Sequence, residues 1–193
     1  MKKKAIIGFK NIYLAPLKTN SASAYTTDAA FLLPAAGQMS RTAKENTGEI
    51  YYDDTLYAQI SEVLGEEAEI RLGELDLENA EKLGYGKLDA KGVLEADFSP
   101  DNKAFSLRCE TETQGKLPYY FKWRVFEINS VRFDNFKTKG NGVTVAEAII
   151  KGVLKRPEKE DLKPHAIVQL KEDGSNKTDC EKFLKDAEST TSV

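Results

Sequence analysis

The sequence predicts a mainly β fold, a β-sandwich or rolled barrel of antiparallel strands with one flanking α-helix and a C-terminal extension. Three observations support this. The chain has 193 residues, 40% of them hydrophobic, which is enough for one sizeable core. Apolar residues mostly alternate with polar ones, the pattern of half-buried strands. Turn-forming Gly, Asn, Asp and Pro separate these segments at short intervals, as in folds built from hairpins.

The first strand is predicted over residues 6–14, ending before Pro16, because proline cannot donate to a strand ladder. A loop is predicted over residues 19–27, and a short strand over Phe31–Leu33. From residue 35 to 47 the chain is small and polar, with little that can pack into a core. We therefore expect a long exposed loop at about residues 35–55.

A half-buried strand and one helix follow the loop. The strand is predicted from apolar residues that alternate with charged ones: Glu67, Ala68, Glu69, Ile70, Arg71 and Leu72. Asp76 is a good N-cap for a helix at residues 77–83, and Gly84 is a typical helix stop.

Two hairpins are predicted in the second half. Cys109 is in phase with the apolar residues of its strand, which favours a small core residue over a redox role. In the aromatic strand at residues 119–131 the apolar phase reverses, which predicts a β-bulge near Val125 and Phe126. Beyond residue 156 we expect a charged linker, a short strand, a helix at residues 178–187 and a frayed end. Residues 1–156 are thus predicted as one domain and residues 157–193 as an appendage.

Composition excludes several kinds of site. The chain has one histidine, His165, and two cysteines, Cys109 and Cys180, too few for disulfide frameworks, zinc ribbons or metal sites with several histidines. His165 is interpreted as a solvated loop residue. A formal charge of −3 gives no net attraction to nucleic acid or to an anionic membrane. No signal peptide or membrane span is evident, so we expect a soluble protein made in the cytoplasm, with no cofactor and no enzymatic activity.

Three weaker motifs leave alternatives open. The Gly-x-Gly elements at Gly84 and Gly140 lack the rest of a phosphate-binding motif and are interpreted as turn glycines. Adjacent Asp53 and Asp54 allow a small hydrolase as one alternative function. Basic and aromatic residues interleave at residues 119–124, which is typical of single-strand nucleic-acid platforms but also of a strand with one aromatic core face. A β-sandwich binding module is the other alternative.

Six segments, in this order, resemble the major tail protein, or tail tube protein, of long non-contractile-tailed bacteriophages and prophages of Gram-positive hosts. They are IGFKNIYLAPL at 7–17, SRTAKE at 40–45, IYYDD at 50–54, GEEAEI at 65–70, YFKWRVF at 120–126 and TKGNGV at 138–143. The resemblance covers about residues 1–156. It implies the phage tail tube fold, shared with tubes of contractile tails and of type VI secretion.

The resemblance also implies a function and partners. Such subunits form hexameric rings that stack into a hollow tube around a tape measure protein, between a tail terminator and a distal tail protein. Viral DNA passes through the bore without specific binding, and the location is the virion. The residues implied for the inter-ring stacking loop are Arg41, Lys44, Glu45, Tyr51, Asp53 and Asp54. Those for a hairpin tip in contact with neighbours are Lys137, Lys139, Gly140 and Gly142. As a further hypothesis, Glu67 and Glu69 face the bore, where carboxylates would not hold DNA.

Overall fold

The computed structural model describes residues 5–34, 36–52, 55–96, 103–114, 117–134 and 147–191. In these ranges the fold is mainly β, as predicted. The strands are β1 (Ala5–Asn20), β2 (Ala24–Thr27), β3 (Phe31–Leu33), β4 (Ala36–Tyr52), β5 (Thr55–Leu72), β6 (Lys87–Leu88), β7 (Leu94–Glu95), β8 (Ala104–Gln114), β9 (Tyr119–Asp134), β10 (Glu147–Lys155), β11 (His165–Gln169) and β12 (Ser189–Thr191). The helices are α1 (Leu77–Lys82) and α2 (Lys177–Lys185).

Most strands belong to one large antiparallel sheet. Its order is β12-β2-β1-β8-β9-β10-β5-β4, with β3 added to β1 and β11 added to β9. Strands β6 and β7 form a separate two-stranded sheet. Because the pairs β1–β8, β5–β10 and β2–β12 join segments far apart in sequence, the fold depends on non-local contacts.

The main core lies on one face of this sheet. In β5 the predicted alternation is confirmed, since Ala68, Ile70 and Leu72 are buried while Glu67 and Arg71 are exposed. The other buried residues of the main core come from β1, β3, α1 and the residues that flank it, β8, β9 and β10: Ile12, Leu14, Leu33, Leu75, Ala80, Leu83, Phe105, Leu107, Cys109, Trp123, Phe126, Ile128, Val131, Ala148, Ile150 and Leu154. Cys109 is a core residue, as predicted.

The predicted start of α1 is confirmed. A carboxylate oxygen of Asp76 accepts the backbone N–H of Asn79 at 2.7 Å, which satisfies one of the free donors at the helix N-terminus. After the helix, Gly84 has φ +86°, a left-handed conformation that glycine adopts without strain. The cap and the stop explain why this helix is only six residues long.

The predicted β-bulge in β9 is also confirmed. Phe105 of β8 is paired with Phe126, whereas Leu107 is paired with Trp123, so β9 has one extra residue in this interval. Trp123, Phe126 and Ile128 consequently all contribute to the main core. The bulge returns the apolar residues of β9 to the same face after the reversal in sequence phase.

Strand β1 is longer than predicted, because Pro16 does not end it. Pro16 is the last residue paired with β8, and from Leu17 onward β1 is paired with β2. The strand therefore changes partners at the proline, where a missing N–H is tolerated. The Pro16 carbonyl accepts the N–H of Asp28 at 2.9 Å. Part of the predicted loop at residues 19–27 is accordingly the strand β2.

The prediction of a long exposed loop at about residues 35–55 is wrong for the described residues. Residues 36–52 form β4, which is paired with β5 in one long hairpin from Ala36–Leu72 to Tyr52–Thr55. Backbone hydrogen bonds hold this pair together, and they do not require the apolar alternation on which the sequence prediction depended.

Residues 157–191, predicted as an appendage to residues 1–156, are paired with strands of the large sheet. They add β11 to β9 and β12 to β2, so the extension is built into the sheet at two places. Helix α2 brings Cys180 and Leu184 against Tyr120 of β9 in a second buried cluster. The helix was predicted within one or two residues, but the end predicted to fray is the strand β12.

Candidate functional site

The distal part of the β4–β5 hairpin, residues 45–52 and 55–63, is called the arm below. In the described chain, β5 is paired with β10 only as far as Glu66 and Leu154. Beyond that point the arm residues are paired only with each other. At about 3.3 Å per residue, each strand of the arm spans about 25 Å. An isolated two-stranded hairpin of this kind is marginally stable in water.

A bulge and a glycine separate the arm from the sheet. Lys44 is paired with Gly65 but Glu45 with Val63, which leaves one extra residue in β5. A Cβ on Gly65 would lie 2.7 Å from the carbonyl oxygen of Leu154, so only glycine allows this close approach of the two backbones. The arm thus begins where β5 separates from β10.

Arg41 lies at the root of the arm. Its Nη1 is 2.8 Å from Oε2 of Glu66, and its guanidinium carbon is 4.9 Å from the centre of the Trp123 ring. Both charged side chains are about 40% exposed (42% and 39%), so the ion pair contributes little to stability by itself. The stacking on Trp123 fixes the root of the arm against β9. These contacts are within one chain, and a contact of Arg41 with a neighbouring ring stays a prediction.

The remaining predicted stacking residues are placed only in part. The backbones of Lys44, Glu45 and Tyr51 lie in β4, where Tyr51 is paired with Leu56. Asp53 and Asp54 lie outside the described residues. So do all members of the predicted hairpin tip, namely Lys137, Lys139, Gly140 and Gly142.

Glu67 and Glu69 lie on the face of β5 opposite the main core. The Glu69 carboxylate is 2.7 Å from Nζ of Lys151 and 2.8 Å from Nε of Arg71. The hydrogen bond from Lys151 is the main cause that lowers the pKa of Glu69. The two glutamates line a polar cleft of about 290 Å³ that also includes Lys151. The face predicted to line the bore therefore combines carboxylates with the basic side chains of Lys151 and Arg71, which are paired with Glu69.

Sequence reasoning missed the site that holds the C-terminal extension. Arg108 lies between core residues of β8 but is fully buried on the other face of the strand. Its guanidinium donates to the carbonyls of Leu184 at 3.1 Å and Asp186 at 2.7 Å, and to the hydroxyl of Thr27 at 3.2 Å. A cation at the C-terminal end of a helix is favourable, because unpaired carbonyls are exposed there. Burial lowers the pKa of Arg108.

A buried charge cluster continues this site. The Glu188 carboxylate is 3.0 Å from Nζ of Lys122 and 3.3 Å from Nε of Arg124. Burial raises the pKa of Glu188, but the nearby Lys122, Arg124 and Arg108 lower it more, so the net shift is downward. Lys122 Nζ also lies 4.2 Å from the centre of the Phe183 ring. Nothing in the sequence near Lys122 and Arg124 indicates an acidic partner 64 residues or more away.

The cysteines and the histidine, the residues most often used in catalysis or metal binding, are dispersed over the described chain. Burial raises the pKa of Cys109 to about 12 and also raises that of Cys180. His165 is exposed, as predicted, although in β11 rather than in a loop. In the described part of the chain no group of three or more His, Cys, Asp and Glu residues is arranged to hold a metal ion. Nor does any helix in these ranges have the length and apolar character needed to span a membrane.

Comparisons with known proteins were made against family models and curated proteins. No family model matches the chain, and no curated protein matches it. A function for this chain is therefore inferred from the geometry of the arm and from the six segments that resemble tail tube proteins.

Proposed function

We propose that this protein is a structural tail tube subunit of a long non-contractile-tailed bacteriophage or prophage, located in the virion. Its hexameric rings stack into a hollow tube through which viral DNA passes during ejection. Its partners are further copies of itself, a tape measure protein, a tail terminator and a distal tail protein. The proposed fold is the β-sandwich or rolled barrel of tail tubes. The observation that carries the proposal is the arm, a long two-stranded hairpin that is paired with no other strand in the described part of the chain.

A tube needs two kinds of contact between subunits. The first contact relates neighbouring subunits by a rotation that closes a ring, and the second repeats along the tube axis without closing. Open edges of the large sheet suit the first contact, and the arm suits the second. In the arm, Gly48 is paired with Ile60 and Ile50 with Ala58. Apolar residue types at these positions favour burial against another subunit.

The charge distribution supports a conduit for DNA. The formal charge of −3 is repeated in every subunit, so a long tube carries a large negative field. On the face of Glu67 and Glu69, Lys151 and Arg71 are both engaged by Glu69. Cations already paired with a carboxylate release fewer counterions from DNA, so they bind a passing phosphate backbone weakly. A bore lined by this face would let DNA slide.

Negative-stain microscopy of the purified chain at high concentration tests the proposal, together with analytical ultracentrifugation. We expect rings or tubes of uniform bore. In the matched control, residues 45–64 are replaced by Asn-Gly, the preferred two-residue hairpin turn, between Lys44 and Gly65. That variant should fold but form no stacked tubes. A full-length chain that stays monomeric at every concentration, with and without a tape measure protein, would contradict the proposal and favour a binding module.

A further inference from the structure

The outer edge of β11 is open. The carbonyl of Pro164 accepts an N–H of β9, and the N–H of Leu170 donates to the residue before β9. Backbone groups of successive residues in a strand point to opposite sides, so the even-numbered residues of β11 face β9. The N–H and carbonyl groups of His165, Ile167 and Gln169 therefore point away from the sheet.

Few of these outward groups have a hydrogen-bond partner in the described chain. The Gln169 carbonyl accepts the side-chain amide of Asn176 at 2.9 Å. Among the residues that the structure describes, no partner is found for the other outward groups of β11. His165, Ile167 and Gln169 are all exposed, and Ile167 is 53% exposed, an unusual position for a large apolar side chain. An uncovered strand edge with an apolar centre is a template for an added strand.

The arm has the complementary properties. Both of its outer edges are unpaired in the described chain. Residues 45–63 include five acidic residues and no basic one. The charged residues nearest to β11 are the exposed Lys163 and Lys171. Acidic residues lie just beyond them, where Asp161 is paired with Lys159, the Asp173 carboxylate accepts the N–H of Ser175, and Glu172 is exposed. Opposite charge on the two segments steers one toward the other and disfavours pairing of two arms.

The edge at β12 suits the arm less well. That strand has three described residues against five in β11, so it offers an added strand fewer outward backbone groups. We propose that the arm of one copy adds a strand to the outer edge of β11 in a second copy. This inference rests on the proposed assembly for the identity of the partner, and it names the receiving strand. The C-terminal extension then has a role, which is to supply the docking edge.

Mixed-population cross-linking tests the contact. One population has Thr47→Cys or Gln59→Cys, one on each strand of the arm, and the other has Gln169→Cys. After mixing and mild oxidation, we expect a disulfide heterodimer in about tenfold excess over a Lys91→Cys control, because docking raises the effective concentration of the two thiols. Lys91 is an exposed residue in the turn between β6 and β7. A yield equal to the control would overturn the proposal, as would an intrachain disulfide in the Thr47→Cys/Gln169→Cys double variant.

A backbone variant tests the same edge without cysteine. Ile167→Pro removes one outward N–H and leaves the hydrogen bonds to β9 intact, whereas Ile167→Val keeps the N–H as the matched control. We expect Ile167→Pro to raise the concentration needed for assembly about tenfold, and Ile167→Val to change it little. Thermal unfolding of both variants shows whether β11 stays folded.

The two proposals fail separately. Normal tubes from a folded Ile167→Pro variant, with no heterodimer above the control, would overturn the β11 contact and leave the assembly intact. Absence of rings and tubes from the wild type would count against the tail tube function, while the heterodimer yield in the same mixtures still decides the contact.

Discussion

Replacement of Arg108 by alanine tests how the C-terminal extension is held. The Arg108 guanidinium is fully buried and donates to the carbonyls of Leu184 and Asp186 at the end of α2. Arg108→Ala leaves these acceptors without their donor in a site that excludes water. Because Arg108 comes from β8 and the acceptors from the extension, we expect the extension to open before the main core does.

The two hydrogen bonds from Arg108 to the Leu184 and Asp186 carbonyls set the size of the expected effect on undocking. A hydrogen bond from a charged donor contributes about 1.5–3 kcal/mol, and relief of the buried charge offsets part of that loss. We therefore expect the free energy of undocking to fall by about 3 kcal/mol, which is roughly a 100-fold larger fraction of open molecules.

Thiol labelling followed by mass spectrometry measures this opening. Cys180 is fully buried where α2 of the extension packs against Tyr120, whereas Cys109 lies in the main core and is 2% exposed. In Arg108→Ala, Cys180 should react about 100-fold faster when opening is in rapid equilibrium, and Cys109 should react as in the wild type. Arg132→Ala is the matched control, since Arg132 is an exposed arginine of β9.

Two results would refute this reasoning. An unchanged labelling rate at Cys180 would show that Arg108 does not hold the extension. Equal acceleration at Cys180 and Cys109 would show that the extension and the main core unfold as one cooperative unit.

Two further predictions concern Glu188 and Gly65. The folded-state pKa of Glu188 lies below its ordinary value of 4.5, so its contribution is present above that value and is lost as the pH falls through the folded-state pKa. Urea denaturation at about pH 7 and about pH 3 should show a smaller pH dependence for Glu188→Gln than for the wild type, and equal dependence would contradict the ion-pair argument. Gly65→Ala should lower the free energy of unfolding by about 2 kcal/mol through its clash with Leu154, whereas Gly8→Ala, with no atom within 4 Å, should not. Thermal denaturation compares the two, and equal melting temperatures would contradict the prediction.

Local patterns predicted the elements whose signals are local. The alternation around Ile70 predicted a half-buried strand, and the cap and stop at Asp76 and Gly84 predicted α1. In β9 the reversed phase at Val125 and Phe126 predicted the bulge. In each case the determining residues lie within a few positions of one another, so the periodicity alone was sufficient.

Elements fixed by distant partners were missed. Residues 36–52 have no apolar alternation, and they are a strand because β5 supplies hydrogen-bond partners along the hairpin. The end of the chain forms β12 because β2 lies beside it, more than 160 residues earlier. Arg108 has the sequence position of a surface residue, and only the end of α2 makes it a buried donor. A single sequence contains no signal for such pairings.

Strand β9 connects the arm and the C-terminal extension. Trp123 lies beneath Arg41 at the root of the arm, and its neighbours Lys122 and Arg124 bind Glu188 on the other face. Because successive side chains of a strand alternate between faces, three consecutive residues contact both structures. The open strand β11 is paired with the same segment. A shift of β9 by one residue would exchange the two faces and disturb the arm root, the extension and the docking edge together. The bulge lies between Trp123 and Phe126, so it restores the core phase at the end of this segment.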